Sequence, residues 1–242
     1  MQRLLPVVVV AVLLNAGWAR TAHATPIDVQ FSGTYSYICG YPCPYVAPVQ
    51  NGPGLIGQAG DRWNWFAASS AANQPLLDAS GQTTSVTMTF SADGAFTADP
   101  DFDAFHGSPW ANLMQGYLYN HVSISLFGLM AGATYDLYVY TQGDSNSAGR
   151  VVGLQATGTE TDYSVQVNAT AFFEKNNYLH LRPVADATGR IDIVNTYIGG
   201  ESDVNGFQLE LASLPEPSTL GLIATMSIGL VSLRGGSVRR AG

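Results

Sequence analysis

Hydrophobic and polar positions alternate with period two through most of the middle of this chain. The alternating runs cover residues 63–65, 86–90, 122–126, 135–140, 165–167, 178–182, 191–194 and 207–211. Because successive side chains of a β-strand point to opposite faces, each run predicts a short strand with one buried face. Turn clusters rich in Gly, Ala and Asp separate these runs, at 92–94, 131–133, 143–147 and 187–189. Many short strands with regular turns predict an all-β fold, an antiparallel β-sandwich.

Two segments depart from this alternation. Between positions 40 and 60 the chain carries four prolines and five glycines, a composition that predicts an irregular excursion. Residues 109–119 instead predict a helix, because Pro109 lies near the start and the apolar Leu113, Met114 and Tyr117 are three or four positions apart.

The N-terminal end has the pattern of a secretory signal peptide over residues 1–24. Arg3 supplies a positive charge, residues 4–14 are apolar, and Ala22-His23-Ala24 has the small-x-small pattern of a cleavage site. We therefore expect the mature domain to begin at Thr25 and to occupy residues 25–213.

The C-terminal residues 214–242 combine three different segments. Pro215-Glu216-Pro217 is rigid because each proline fixes φ and lacks a backbone N–H. Residues 218–233 are uncharged and largely apolar, and the basic residues Arg234, Arg239 and Arg240 follow them. An apolar run followed by arginines predicts a transmembrane helix whose arginine end stays cytoplasmic.

This three-part tail resembles the PEP-CTERM sorting signal of Gram-negative bacteria. The resemblance implies that an exosortase, a membrane-embedded cysteine protease, cleaves near Pro215-Glu216-Pro217 and releases or transfers the upstream domain. It also implies an inner-membrane precursor and an exported product on the cell surface or in the extracellular matrix. Two features depart from the pattern. The sixteen-residue span is about 24 Å long as a helix, against about 30 Å of hydrocarbon, and the arginines are spread over seven positions.

Charge excludes one class of partner. Residues 25–213 contain five basic and seventeen acidic side chains, a net charge of −12, whereas the whole chain carries −8. Such a surface repels nucleic acid and anionic lipid and favours solubility or divalent cations.

The two cysteines, Cys39 and Cys43, have three residues between them. In an oxidising compartment such a pair predicts a structural disulfide, which stabilises so small a loop by about 2 kcal/mol. A redox site needs a helix after the first cysteine, which Pro42 and Pro44 disfavour, and a zinc site needs two further soft ligands.

A second resemblance lies within the mature domain. Residues 124–129 (ISLFGL), 135–140 (YDLYVY) and 204–209 (VNGFQL) resemble the strand–loop–strand and closing-strand pattern of galactose-binding-like jelly rolls. The resemblance covers roughly residues 120–211 and implies an eight-stranded sandwich of the kind found in many carbohydrate-binding modules. Gly128 and Gly206 would then mark tight turns, and Phe207 and Leu209 would fill the core.

Aromatic residues beside acids are the candidate ligand-binding residues. A sugar needs a flat aromatic face for its ring and a few fixed polar groups for its hydroxyls. The candidates are Asp136, Tyr138 and Tyr140 on one predicted strand face, Trp63 and Trp65 on another, and Asp144 in the following turn. The favoured alternative is that these aromatic rings pack between strands or in the core.

Calcium is the candidate cofactor. Asp99, Asp101 and Asp103 occupy alternate positions and offer the hard oxygen ligands that Ca²⁺ prefers. The twelve-residue calcium loop fails at its sixth position, Ala104, and at its twelfth, Trp110, so a solvated acidic loop is the favoured interpretation. The galactose-binding-like resemblance implies a second place for calcium, where the first and last strands meet. Its ligands there would be Asp28, Asp203 and Glu210.

No residue pattern indicates an enzyme. The chain contains neither a G-x-S-x-G nucleophile elbow nor an H-E-x-x-H zinc helix. We interpret it as an exported, non-catalytic carbohydrate-binding module associated with exopolysaccharide, with an exosortase and polysaccharide as partners. A structural matrix or adhesion protein is the alternative, followed by a secreted hydrolase.

Overall fold

The structure is a computed structural model that describes residues 25–36, 43–103, 105–144 and 148–212. Within these residues lie one short helix, α1 Ala111–Gln115, a 3₁₀ turn at Pro100–Phe102, and sixteen strands. The strands are β1 Ile27–Ser32, β2 Tyr35–Ser36, β3 Cys43–Pro44, β4 Asn64–Ala67, β5 Ser70–Leu77, β6 Thr83–Ser91, β7 Gly94–Thr97, β8 Gly116–Tyr119, β9 Ser123–Phe127, β10 Tyr135–Tyr140, β11 Val151–Ala156, β12 Asp162–Val165, β13 Tyr178–Leu181, β14 Ile191–Gly199, β15 Asp203–Val204 and β16 Gly206–Leu211.

Two large sheets form the predicted β-sandwich. One has five strands in the order β13-β10-β16-β1-β4, and the other has six in the order β12-β11-β14-β9-β6-β5. All pairs of neighbouring strands in these two sheets are antiparallel except β1 and β4, which run parallel. The all-β, mainly antiparallel fold predicted from the alternation is confirmed.

The main core lies between the two sheets. Its centre is set by register: Phe207 on β16 lies opposite both Val29 on β1 and Val139 on β10. The Phe31 ring of the first sheet lies 5.0 Å from the Phe90 ring of the second, centroid to centroid. All of these side chains are buried, and each stabilises the fold by roughly 1.5–3 kcal/mol.

A small third sheet, β15-β8-β7, lies beside the end of β1. Ala95, Leu118 and Val204 on one of its faces belong to the main core. Residues directly opposite one another on antiparallel strands share a face, and the pairs Phe96–Tyr117 and Asp203–Tyr119 are such partners. The face away from the core is therefore both aromatic and acidic.

A segment that we call the outer cover, residues 47–61, lies over the outer face of the five-stranded sheet. Gln30 on β1 anchors it by donating to the Pro48 carbonyl (3.0 Å) and accepting from the Gln50 N–H (2.7 Å). Gln208 on β16 both accepts from the Ile56 N–H (3.1 Å) and donates to its carbonyl (3.0 Å). The segment predicted to be an irregular excursion is therefore a packed layer without regular secondary structure over most of its length.

Beneath the outer cover lies a second hydrophobic cluster. Its buried members are Trp63, Phe105, Leu113, Met114 and Tyr140, and Phe172 and Trp110 pack against them. This cluster gives α1 its apolar partners, and it is the reason that a five-residue helix is stable here.

The helix predicted over 109–119 is wrong in its second half, which forms β8. Asn205 donates to the carbonyls of Met114 (2.8 Å) and Gly116 (3.0 Å), the point at which the helix ends. A Cβ at Gly116 would lie 2.6 Å from the Phe31 carbonyl oxygen, so this backbone is pressed against β1. Long-range pairing with β7 and β15 therefore overrides the local helical spacing.

Several predicted features lie outside the described residues. These are the signal peptide, Cys39 of the predicted disulfide, and the sorting tail with Pro215, Glu216, Pro217, Arg234, Arg239 and Arg240. Within the part of the chain that the structure describes, no helix has both the length and the apolar character needed to cross a bilayer.

Candidate functional site

The strongest candidate site is an open cleft on the aromatic and acidic face of the small sheet. We call it the aromatic–acidic cleft; it has a volume of about 310 Å³ and is lined by Tyr35, Phe96, Tyr117, Tyr119, Asp144 and Glu201. Strands β2, β7 and β8 position the aromatic rings. Asp144 follows β10, and Glu201 lies between β14 and β15.

The aromatic wall of the cleft is built from interlocking rings. The Phe96 centroid lies 6.0 Å from that of Tyr35, edge on, and 5.6 Å from that of Tyr117. Tyr119 lies across the Gly94 backbone, where an added Cβ would come within 2.1 Å of its hydroxyl. Glycine at position 94 therefore allows the Tyr119 ring to lie flat against the sheet.

The acidic side of the cleft is organised by a single guanidinium. Arg150 Nη1 contacts Glu201 Oε2 at 2.8 Å and Asp203 Oδ2 at 3.2 Å, and its Nη2 lies 3.5 Å from Asp144 Oδ1. Gln166 donates a further hydrogen bond to Asp203 Oδ2 at 2.8 Å. Three carboxylates thus share one cation.

Burial shapes the protonation of this cluster. Desolvation raises the pKa of Asp203 to about 7, although the Gln166 hydrogen bond and the Arg150 charge act in the opposite direction. Desolvation also raises the pKa of Glu201. Burial raises the pKa of the Tyr117 hydroxyl well above its usual value, and the negative charges of Asp203, Glu201 and Asp144 raise it further.

A smaller hollow adjoins the cleft and shares two of its residues. Its volume is about 180 Å³, and it is lined by Thr34, Tyr35, Ala68, Ser69, Gly94, Ala95 and Tyr119. Tyr35 and Tyr119, whose side chains are hydrogen-bonded to each other, lie at the boundary between the two spaces.

The structure separates the residues that the sequence nominated for ligand binding. Asp136 and Tyr138 lie on the outer face of β10, as predicted, but they contact neighbours on that sheet. Asp136 Oδ1 lies 2.9 Å from His180 Nε2 and 3.0 Å from Arg182 Nε. The Tyr138 ring stacks on His180 at 4.4 Å, with an angle of 10° between the planes.

The expectation of an outward-facing Tyr138–Tyr140 pair is wrong for Tyr140. Its side chain is fully buried. Its hydroxyl donates a hydrogen bond to Gln208 Oε1 (2.5 Å) and accepts one from the Leu55 N–H (2.8 Å). Trp63 is buried in the same cluster, with its ring centroid 6.2 Å from that of Tyr140. The outer cover is the physical reason, because it occupies the face to which both side chains point.

The remaining two ligand-binding candidates lie apart. Trp65 is 37% exposed on the edge strand β4, three strand positions from β10 and hence about 14 Å away across the sheet. Asp144 is the one nominated residue that lines the aromatic–acidic cleft.

The proposed calcium ligands serve other roles. Asp99 caps the 3₁₀ turn by accepting from the Asp101 N–H (3.0 Å), and Asp103 is buried and accepts from the Phe105 N–H (3.0 Å). Burial raises the pKa of Asp103 to about 6. Within residues 25–36, 43–103, 105–144 and 148–212, no three His, Cys, Asp or Glu side chains are grouped so that they could hold a metal ion.

The second set of calcium candidates does not converge either. Asp28 accepts from Gln208 Nε2 (2.9 Å) under the outer cover, and burial raises its pKa to about 7, with further contributions from Asp61 and Glu210. Asp203 instead contacts Arg150 in the cleft cluster, so it does not share a site with Asp28.

Most of the cleft cannot be predicted from local sequence patterns. Tyr117 and Tyr119 alternate with Leu118, which is a strand signal, but the spacing of residues 109–119 predicts one helix. Tyr35, Phe96, Arg150 and Glu201 come from four distant parts of the chain, and no local pattern joins them.

Comparisons with known proteins find only distant structural similarity. No protein-family profile matches this sequence, and no curated protein does. Among solved structures, a ruminal GH26 endo-β-1,4-mannanase matches 42% of this chain with 13% identity and a TM-score of 0.29. TmCBM61 in complex with β-1,4-galactotriose matches 52% of this chain and 88% of its own, with 20% identity and a TM-score of 0.28. The matched part spans only 20% of the mannanase.

Proposed function

We propose that this chain is a carbohydrate-binding β-sandwich and that the aromatic–acidic cleft is its binding site. The observation that carries the proposal is the combination of three partly exposed aromatic rings, Tyr35, Phe96 and Tyr119, with two carboxylates in one open cleft. The buried ring of Tyr117 supports them from behind. Aromatic faces pack on the apolar faces of a sugar ring, and carboxylates accept hydrogen bonds from its hydroxyls. The volume of about 310 Å³ falls within the range of small-ligand sites.

Pre-organisation supports the same proposal. Arg150 holds Asp144 and Glu201 in place by ion pairs, and the Phe96 and Tyr117 rings support one another. Fixing these groups before binding reduces the conformational entropy lost when a ligand binds.

Binding, without catalysis, is the function we assign to the cleft. A glycosidase needs one carboxyl that keeps its proton and a second that stays ionised on the opposite side of the bond. Here the two carboxylates that line the cleft, Asp144 and Glu201, both contact the Arg150 guanidinium, so they form one cluster on the same side of the cleft.

Affinity electrophoresis of the full-length protein through gels containing single polysaccharides tests this proposal. We expect retardation by at least one glycan, which Tyr119→Ala abolishes and Tyr163→Ala preserves, because Tyr163 is exposed on β12, away from the cleft. Absence of retardation by every polysaccharide contradicts the proposal.

We also propose that the chain is exported and sorted through its C-terminal tail. Support comes from the rigid Pro215-Glu216-Pro217, the apolar run after it and the terminal arginines. Mass spectrometry of the released protein tests this. We expect a product that lacks residues 218–242, and retention in the membrane when Arg234, Arg239 and Arg240 are replaced by Gln. Released protein that still carries Arg240 contradicts the proposal.

A further inference from the structure

The aromatic–acidic cleft carries more negative charge than its one guanidinium neutralises. Asp144, Glu201 and Asp203 contact Arg150, so the cluster has a net charge of −2 when all three are ionised. The net charge is −1 when Asp203, whose pKa is about 7, holds its proton. A ligand that brings a positive charge is therefore favoured electrostatically.

A second observation at the cleft points in the same direction. Asp203 is fully buried, and its Oδ1 has no hydrogen-bond partner within the described part of the chain. Its cross-strand partner is Tyr119, so Asp203 projects from the same sheet face as the aromatic wall. A buried carboxylate oxygen without a partner is costly, and a positive charge in the adjacent cleft would lower that cost electrostatically.

The rings add a further preference for cations. The electron-rich faces of Tyr and Phe attract ammonium groups within about 6 Å of the ring centroid. The partly exposed rings of Tyr35, Phe96 and Tyr119 line the cleft together with Asp144 and Glu201. Aromatic faces together with carboxylates are the chemistry that recognises an organic cation.

We propose that the cleft selects glycans with free, protonated amino groups, meaning amino sugars that are not N-acetylated. This inference rests on the carbohydrate-binding function proposed above and specifies its ligand class. The amino group lies between the carboxylates and the rings, while the sugar ring packs on the aromatic wall. N-acetylation removes the charge and adds bulk, so acetylated sugars lose the interaction that distinguishes this cleft.

Isothermal titration calorimetry of the full-length protein tests the inference. The probes are glucosamine oligomers, N-acetylglucosamine oligomers of equal length and a neutral glucan oligomer, each at pH 6 in low and high salt. We expect glucosamine oligomers to bind roughly tenfold more tightly than the acetylated ones, with the difference shrinking in high salt.

Two matched variants locate the effect. Glu201→Gln keeps the shape of a half-buried side chain but removes its charge, and we expect it to reduce the preference for the free amine roughly tenfold. Glu160→Gln removes the same charge from an exposed position and should leave the preference unchanged. Thermal melts of both variants verify that they fold.

Each outcome separates the inference from the function on which it rests. Equal affinity for free and acetylated oligomers overturns the inference and leaves carbohydrate binding standing. A preference that survives Glu201→Gln overturns it as well, because the attraction then belongs to the acidic surface as a whole. Absence of binding by any oligomer overturns both proposals.

Discussion

The outer face of the five-stranded sheet and the outer face of the small sheet carry the same kinds of residue in different surroundings. On each face one tyrosine is buried, Tyr140 or Tyr117, and one is partly exposed, Tyr138 or Tyr119. Both present tyrosines and aspartates from alternating strand positions: Tyr138 and Tyr140 on one, Tyr117 and Tyr119 on the other. The first face is largely covered by the outer cover and α1, whereas the second borders an open cleft. Alternation along a strand therefore indicates which side chains point away from the core. Whether those side chains can contact a ligand depends on whether a further layer, such as the outer cover, packs over them.

The largest expected effect is on the covered face. Tyr140→Ala removes a fully buried ring from the second cluster and should lower the free energy of unfolding by about 3–5 kcal/mol. Urea denaturation measures this, with Tyr163→Ala as the exposed control. A loss below 1 kcal/mol would show that the outer cover does not pack on Tyr140 as described.

Asp28, under the outer cover, and Asp203, in the cleft cluster, allow the pH dependence of stability to be compared between the two faces. Both have a pKa near 7 in the folded protein against 3.8 as the ordinary value, so the folded state holds protons that the unfolded chain has released. Their stabilising contribution is present below about pH 4 and is lost as the pH rises to about 7, by at most about 4 kcal/mol each. Asp103, with a pKa of about 6, acts in the same direction.

Urea denaturation at several pH values checks this pH dependence. Asp28→Asn and Asp203→Asn should each flatten the decline between pH 4 and 7, and Asp162→Asn, at a partly exposed position on β12, should not. Stability that rises across this interval in the wild type contradicts the assignment for both residues.

A smaller effect is expected where the outer cover is anchored. Gln30→Leu deprives the Pro48 and Asn112 carbonyls and the Gln50 N–H of their partner, and should cost about 1–3 kcal/mol. Gln82→Leu, at an exposed position, should change stability by no more than about 0.5 kcal/mol. Hydrogen exchange of residues 47–61 should accelerate only in the first variant.

The smallest stability effect is expected at the cleft. Tyr119→Ala removes a partly exposed ring and should cost less than about 1 kcal/mol in denaturation, yet weaken glycan affinity about tenfold or more by calorimetry. Tyr140→Ala should show the reverse balance, with a large loss of stability. If both variants lose stability and affinity in proportion, the two faces do not differ in function.

The strands themselves were largely predictable. Residues 86–90 and 135–140 lie within β6 and β10, and residues 122–126 overlap β9 at all but Val122, because one buried face leaves a period-two pattern in the sequence. The alternation also placed Tyr138 and Tyr140 on one strand face, which is correct. That information stops at the direction in which a side chain points.

The predictions that were wrong concern segments whose structure depends on contacts with distant parts of the chain. Residues 109–119 have the spacing of a helix, but Gly116 packs against β1 and residues 116–119 pair with β7 and β15. The strands β1, β5, β7 and β11 were not predicted, although β1 lies within the five-stranded sheet.

By itself the sequence determined an all-β sandwich, an acidic surface, and a core filled from alternate positions, since these follow from local periodicity and composition. Only the tertiary structure decided that Tyr140 is buried and that Asp144 meets Tyr35, Phe96, Tyr117, Tyr119, Arg150 and Glu201 in one cleft. The physical reason is that exposure and convergence depend on which layers pack together, and those contacts join residues that the chain keeps far apart.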